Sequence, residues 1–141
     1  MAFVLDASIA LAWHFEDESN AFAEAIGVRS AQERVIVPSH WHAEVANGLL
    51  VGERRKRTSA EKIDAFAVRL AALDLEIEQL SESALFERVL PLARAHRLTV
   101  YDAIYLELAE RRGLGLATLE GPLAAAARSA GVSTMARLGS E

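Results

Sequence analysis

FVLDASIALAW, residues 3–13, sets one acid between two apolar runs. The run from Phe3 to Leu5 predicts a short buried strand, and the apolar residues after Asp6 recur at helical spacing over 7–14. Asp6 therefore lies at a corner between a strand and a helix. A carboxylate there can cap the helix, because it accepts hydrogen bonds from unpaired amides at the positive end of the helix dipole. For Asp6 considered alone, this structural role and a functional role are equally well supported.

Short apolar segments alternate with longer helical ones along the rest of the chain, which predicts an α/β fold with a parallel sheet. The predicted strands cover 2–5, 35–37, 75–80 and 114–118, with a further edge strand over 131–135. The predicted helices cover 7–14, 18–30, 40–57, 62–73, 81–96 and 101–112, and a seventh begins at Pro122. Thr58 and Glu61 predict a capping box before the fourth helix. We therefore expect an α/β/α sandwich with a central parallel sheet of four to five strands and about seven helices.

The composition bounds the class of protein. A length of 141 residues suits a single domain over 1–141. Acids or bases interrupt every apolar stretch before it reaches the roughly 18 residues that a membrane span needs. Asp6 also breaks the apolar core that a signal peptide would require. We expect no transmembrane segment and a cytoplasmic location.

The chain contains no cysteine. This excludes disulfides, thiolate metal sites and cysteine nucleophiles, and it agrees with a cytoplasmic location. Any metal must then be held by oxygen or imidazole ligands. The four histidines show no metal-ligand spacing, and we assign them no catalytic role.

The net charge is -5, from 15 Lys and Arg against 20 Asp and Glu, which argues against a large nonspecific nucleic-acid surface. One local basic cluster stands out in the sequence ERRKR at 53–57. It could bind RNA phosphates without reading the base sequence. A solvated helix end, with cations that suit the helix dipole, explains it slightly better. The candidate RNA contacts are Arg54, Arg55, Lys56 and Arg57.

Three further acids lie in settings like that of Asp6. Glu44 lies in the helix after the second predicted strand, Asp102 opens a later helix, and Glu120 follows the fourth strand. Each has a local explanation: Asp102 completes a capping box with Thr99, Glu120 precedes a helix, and Glu44 could be an ordinary exposed helical residue. The carboxyl ends of parallel strands meet at one edge of a sheet, where ligands bind in such folds. The four acids can therefore converge on one rim.

Convergence of the four acids would predict a metal ion. Like charges close together raise each other's pKa unless a cation lies between them. A cysteine-free cluster of carboxylates suits Mg2+ or Mn2+, which keep several waters and take a few carboxylates plus substrate phosphate. Asp6 and Asp102 are the predicted direct ligands, and Glu44 and Glu120 the predicted ligands through water. Such an ion polarises a phosphate and activates a water, so the predicted chemistry is phosphodiester hydrolysis.

Four segments carry a family signature: VLDASIALAW at 4–13, VPSHWHAEVANGLL at 37–50, LTVYDAIYLELAERRGLGLATLE at 98–120 and LAAAARSAGV at 123–132. In this order, over nearly the whole chain, they resemble the PIN-domain ribonucleases, specifically the VapC toxins of type II toxin–antitoxin modules. The resemblance implies a PIN-like fold and a Mg2+- or Mn2+-dependent endoribonuclease whose catalytic acids match Asp6, Glu44, Asp102 and Glu120. It also implies a VapB-type antitoxin that blocks the site, a homodimer, and a higher toxin–antitoxin assembly.

Three polar residues lie beside the acids of these motifs, namely Ser8, Asn47 and Thr99. They could hydrogen-bond a ligand carboxylate or a metal-bound water. Helix capping and an exposed position explain them equally well.

One residue departs from the family pattern. The family usually has Asp where this chain has Glu120, and the extra methylene moves the carboxylate by more than an ångström. This difference argues against direct coordination of a metal by Glu120 and against occupancy of a second metal site. It argues less against the activity itself.

Two rival functions differ in chemistry. Phosphoryl transfer through an aspartyl phosphate at Asp6 would need a nearby Lys or a second Asp two residues on, but the chain continues with Ala7, Ser8 and Ile9. A catalytically silent module that binds only RNA or an antitoxin is favoured by Glu120 alone. The other three acids argue against it.

Overall fold

A four-stranded parallel sheet organises residues 1–135, the part of the chain that the computed structural model describes. The strands lie in the order β3, β2, β1, β4, and they are β1 Ala2–Leu5, β2 Arg34–Pro38, β3 Leu75–Glu78 and β4 Gly115–Ala117. Phe3 on β1 is in register with Val35 on β2 and with Gly115 on β4. Because every pair is parallel, all four carboxyl ends lie at the same edge of the sheet.

Seven helices surround the sheet within the described residues. Two helical pieces joined by a π-helical turn form one continuous stretch over 82–96 and count as one. The bounds are α1 Ala7–His14, α2 Ala21–Ser30, α3 Trp41–Arg54, α4 Ala60–Ala71, α5 Glu82–Ala84, the π turn Leu85–Val89, α6 Leu90–His96, α7 Val100–Arg112 and α8 Gly121–Ser129. A short 3-10 turn, Glu16–Glu18, follows α1. The predicted α/β fold with a central parallel sheet is confirmed.

The core lies where α7 crosses the sheet. Every residue of α7 from Ala103 to Ala109 is buried, and the helix packs against β1, β2 and β4. Phe3, Val4 and Leu5 of β1 are at most 1% exposed. A strand covered on both faces has no solvent side, which explains why β1 is a continuous apolar run rather than an alternating one.

The predicted edge strand over 131–135 is wrong. These residues join the sheet through a single backbone hydrogen bond, in which the Leu116 amide donates to the Ser133 carbonyl at 2.8 Å. Gly131 and Met135 have φ angles of 78° and 56°, which are incompatible with extended backbone. The sheet therefore ends at β4 in the described part of the chain.

Two predicted local features also differ. Ser59, rather than Thr58, caps α4, and its hydroxyl accepts from the Lys62 amide at 3.3 Å. The Thr58 hydroxyl lies 2.8 Å from His14 Nε2. The hydroxyl predicted to cap the helix therefore makes a hydrogen bond to a residue distant in sequence instead.

The helix predicted over 81–96 contains the π turn just before Pro91. In that turn the Leu90 amide donates to the Leu85 carbonyl, five residues earlier. A proline ring clashes with the carbonyl four residues before it, and the wider turn gives that carbonyl room.

No helix within residues 1–135 combines the length and the apolar character that crossing a membrane requires.

Candidate functional site

The Asp6 carboxylate is buried at the end of β1, with the residue only 3% exposed. Its backbone amide donates to the Ala117 carbonyl on β4 at 2.9 Å, which holds the corner against the neighbouring strand. Asp6 is the N-cap residue of α1, but its side chain makes no capping hydrogen bond. Instead, Oδ2 accepts from the Ser8 hydroxyl at 2.5 Å and from the Thr118 hydroxyl at 2.6 Å. Capping alone therefore does not account for this side chain, although the backbone amides of Ala7 and Ser8 also favour its charged form.

The same two hydroxyls hold the loop after β4. The Leu119 amide donates to Ser8 Oγ and the Glu120 amide to Thr118 Oγ1, both at 3.0 Å. A hydroxyl has one proton to donate, and both protons go to Oδ2 of Asp6. Oδ1 of Asp6 is thus left without a side-chain donor among the described residues, while the backbone amides of Ala7 and Ser8 favour the charged form of the carboxylate.

Glu44 lies in the first turn of α3 and is held from α7. The buried Tyr105 hydroxyl donates to Glu44 Oε1. His40 Nε2 lies 3.3 Å from the same oxygen but makes no hydrogen bond. Burial lowers the pKa of His40, which favours its neutral form.

Asp102 and Glu120 both lie at helix starts, Asp102 in the first turn of α7 and Glu120 as the N-cap residue of α8. The Asp102 amide donates to Thr99 Oγ1 at 3.1 Å, so Thr99 caps α7 and its hydroxyl is used for that purpose. Asp102 is half-buried, and Glu120 is exposed at the start of α8, where its side chain makes no capping bond. Both carboxylates lack a hydrogen-bond donor among the described side chains.

A cleft of about 280 Å³ brings these groups together at the carboxyl edge of the sheet. All four predicted acids line it, together with two of the three predicted polar residues, Ser8 and Asn47. Thr99 does not line it. The remaining walls are Ala7, Leu11 and Gly48.

The acids hold their protons more tightly than free carboxyls do. Burial, reinforced by the charges of Asp6, Asp102 and Glu120, raises the pKa of Glu44 to about 7, although the Tyr105 hydrogen bond opposes the rise. Burial together with the charges of Asp6 and Glu120 raises the pKa of Asp102 to about 6. Burial also raises the pKa of Asp6, against its two hydroxyl donors and the amides of Ala7 and Ser8. Although Glu120 is exposed overall, partial desolvation of its carboxyl and the charges of Asp6 and Glu18 raise its pKa as well. A cation in this cleft would relieve the repulsion that contributes to these shifts.

The donor set suits a hydrated divalent ion rather than a closed cage. Within residues 1–135, no three Asp, Glu or His side chains are arranged to hold one metal ion together. Mg2+ keeps several waters and takes only one or two carboxylates directly, so such a cage is unnecessary for it. Oδ1 of Asp6 and the carboxylate of Asp102 have no side-chain hydrogen-bond donor among the described residues, so a metal ion could reach them.

The basic cluster lies away from the cleft. Residues 54–56 are exposed at the far end of α3, about 15 Å along the helix from Glu44 at its usual rise per residue. Arg57 donates to Asp17 at 2.9 Å and to Glu18 at 2.8 Å, so its guanidinium is already paired with the 3-10 turn. Of the four predicted RNA contacts, Arg57 is therefore not a free cation.

Three residues of the site were not singled out by sequence reasoning: Thr118, Tyr105 and His40. Tyr105 follows Asp102 by three residues, so the two lie on the same face of one helix. His40 precedes Glu44 by four residues, which places it on the same side, just before the helix begins. This spacing was an available signal. Thr118 had none, because its partner Asp6 is 112 residues away in sequence.

Comparisons with known proteins agree with this architecture. Residues 3–128 match the family model described as PIN domain. A similar solved structure is the crystal structure of PAE2754 from Pyrobaculum aerophilum, with a TM-score of 0.68 and 23% sequence identity over 89% of this chain and 84% of that chain. At that identity the likeness shows the fold alone. Among curated proteins no sequence matches this chain.

Proposed function

The chain belongs to the PIN-domain family, whose members are generally nucleases, and from that premise we propose that it is the toxin of a VapC-type toxin–antitoxin module. Its proposed reaction is the hydrolysis of RNA phosphodiester bonds by an endoribonuclease that depends on Mg2+ or Mn2+. The proposed catalytic residues are Asp6, Glu44, Asp102 and Glu120.

The observation that carries the proposal is the convergence of these four carboxylates on one cleft. Groups that repel one another and raise each other's pKa are costly to assemble, so a cation offsets the cost when it binds. Structural ion pairing does not explain the cluster, because none of the four acids has an Arg or Lys partner among the described residues.

The position of each residue in the cleft suggests its role at the metal ion. Asp6, through Oδ1, and Asp102 are proposed to bind the ion directly, while Glu44 and Glu120 bind it through water. Ser8 fixes the Asp6 carboxylate, and Asn47 faces the cleft as a donor for a water or a phosphate. When bound, Mg2+ or Mn2+ would polarise the scissile phosphate and lower the pKa of a water.

The partners follow from the resemblance to VapC toxins. We propose a VapB-type antitoxin that blocks the cleft, a homodimer within a larger toxin–antitoxin assembly, and a cytoplasmic location. Arg54, Arg55 and Lys56 are exposed and remain the candidate contacts to RNA phosphates.

The test is cleavage of total RNA by the purified, antitoxin-free protein in Mg2+, in Mn2+ and in EDTA. Asp6→Asn is purified in parallel, with Glu110→Gln as a matched control because Glu110 is exposed on α7 away from the cleft. We expect discrete bands that need metal, persist with Glu110→Gln and disappear with Asp6→Asn.

Two results would oppose the proposal. Cleavage by Asp6→Asn at the parent rate would exclude this mechanism. No cleavage in any metal by folded protein would favour the catalytically silent binding module, with Glu120 as the first residue to revert to Asp.

A further inference from the structure

The hydroxyl of Tyr105 contacts an acid of the cleft and is not one of the predicted catalytic groups. Tyr105 is 0% exposed, and its hydroxyl donates to Glu44 Oε1. A buried tyrosine hydroxyl usually finds one partner. Here that partner is a catalytic candidate on a different helix.

This contact joins the segments that carry two of the four acids. Tyr105 follows Asp102 by one helical turn on α7, and Glu44 belongs to α3. Displacing the hydroxyl would therefore disturb the position of Glu44 relative to Asp102.

Glu44 depends on this contact for its orientation. The Tyr105 hydrogen bond is the only one that the Glu44 carboxylate makes with the described residues, since His40 Nε2 lies near Oε1 without a bond. A glutamate side chain is flexible, so it needs a contact to keep one orientation. Because Tyr105 holds Oε1 towards α7, Oε2 is available to the cleft. Without the phenol proton, nothing described would keep the carboxylate in that rotamer.

We propose that Tyr105 is a positioning residue that presents Glu44 Oε2 to the hydrated divalent ion of the cleft. The inference rests on the proposed metal-dependent function. Groups that orient the ligands of a metal typically contribute 10- to 100-fold to its affinity. Because Glu44 acts through water, we expect the lower end of that range.

A double-mutant cycle on Mn2+ affinity tests the proposal with the full chain. Isothermal titration with Mn2+ is carried out on the parent, Tyr105→Phe, Glu44→Gln and the double variant. Tyr101→Phe is the matched control, because Tyr101 lies on the same helix, is 61% exposed and donates to no acid of the cleft. We expect Tyr105→Phe to weaken Mn2+ binding about 10-fold and to lower kcat for RNA with little change in KM. In the Glu44→Gln background it should add nothing.

The outcomes separate this inference from the proposed function. Tyr105→Phe that binds Mn2+ like the parent, or that weakens binding equally with and without Glu44, would overturn the positioning role while the parent still binds and cleaves. A parent that neither binds Mn2+ nor cleaves RNA would remove the proposed function, and this inference with it.

A second measurement covers the case in which Tyr105→Phe does not fold. The chain has two tyrosines, so labelling tyrosine ring carbons with 13C gives one signal for each. Addition of Mg2+ to the unmutated chain should shift the Tyr105 signal, and Glu44→Gln should abolish that shift. A Tyr105 signal that stays in place while Mg2+ saturates the protein would refute the proposal.

Discussion

Neutralising Glu44 should stabilise the metal-free protein at alkaline pH. The carboxyl of Glu44 has its pKa raised from 4.5 to about 7, by burial first and then by the charges of the other three acids. A carboxyl with a raised pKa binds its proton more tightly in the folded chain than in the unfolded one. Its contribution to stability is therefore present at low pH and is lost as the pH rises from about 4.5 through about 7.

The magnitude follows from the two pKa values. At roughly 1.4 kcal/mol for each pH unit, the difference between 4.5 and about 7 corresponds to at most about 3.5 kcal/mol at pH 8. The Glu44 side chain is 31% exposed, so solvent screening reduces this to about 1–2 kcal/mol. A glutamine can still accept the Tyr105 hydrogen bond through its amide oxygen. Glu44→Gln should thus raise the free energy of unfolding by about 1–2 kcal/mol at pH 8 and by a few tenths at pH 4.5.

Urea unfolding in EDTA at both pH values measures the effect, with EDTA removing any cation that would mask the repulsion. Glu110→Gln is the matched control, because Glu110 is an exposed helical glutamate outside the cleft. It should change the free energy of unfolding by less than about 0.5 kcal/mol at either pH. If Glu44→Gln is no more stable than the parent at pH 8, or gains equally at both pH values, the argument from burial and repulsion is wrong.

Three other substitutions probe the same architecture. Glu120→Asp should keep or raise the rate of RNA cleavage, since Glu120 is exposed at the rim, and a large loss would mean that the site is built around the longer side chain. Thr118→Val removes the buried donor to Asp6, so we expect a loss of about 1–3 kcal/mol in urea unfolding; an unchanged midpoint would contradict the hydrogen bond. Gly52→Ala would place a Cβ in steric conflict with Phe15 Cζ, and the overpacking should lower stability by about 1–3 kcal/mol, whereas a stabilised variant would show that the ring can move aside.

Local patterns in the sequence predicted the fold class and the place of each acid along the chain. The run Phe3 to Leu5, the β-branched run 35–37 and the helical periodicity between them are properties of neighbouring residues, and the structure contains the corresponding elements. The rule that parallel strands end at one edge then led to a shared rim for the acids. Errors arose where a neighbour distant in sequence took over a local group, as His14 does with Thr58.

The surroundings of each predicted site residue were decided only by the tertiary structure. Asp6 looks like a helix cap in sequence, yet its carboxylate is held by Thr118 from 112 residues away. Glu44 looks like an exposed helical acid, yet Tyr105 holds it from 61 residues away. Periodicity and capping signals extend over a few residues, whereas burial and the repulsion among carboxylates depend on which segments the sheet brings together. The sequence could therefore determine which acids are available, and only the folded chain could decide which of their oxygens remain free.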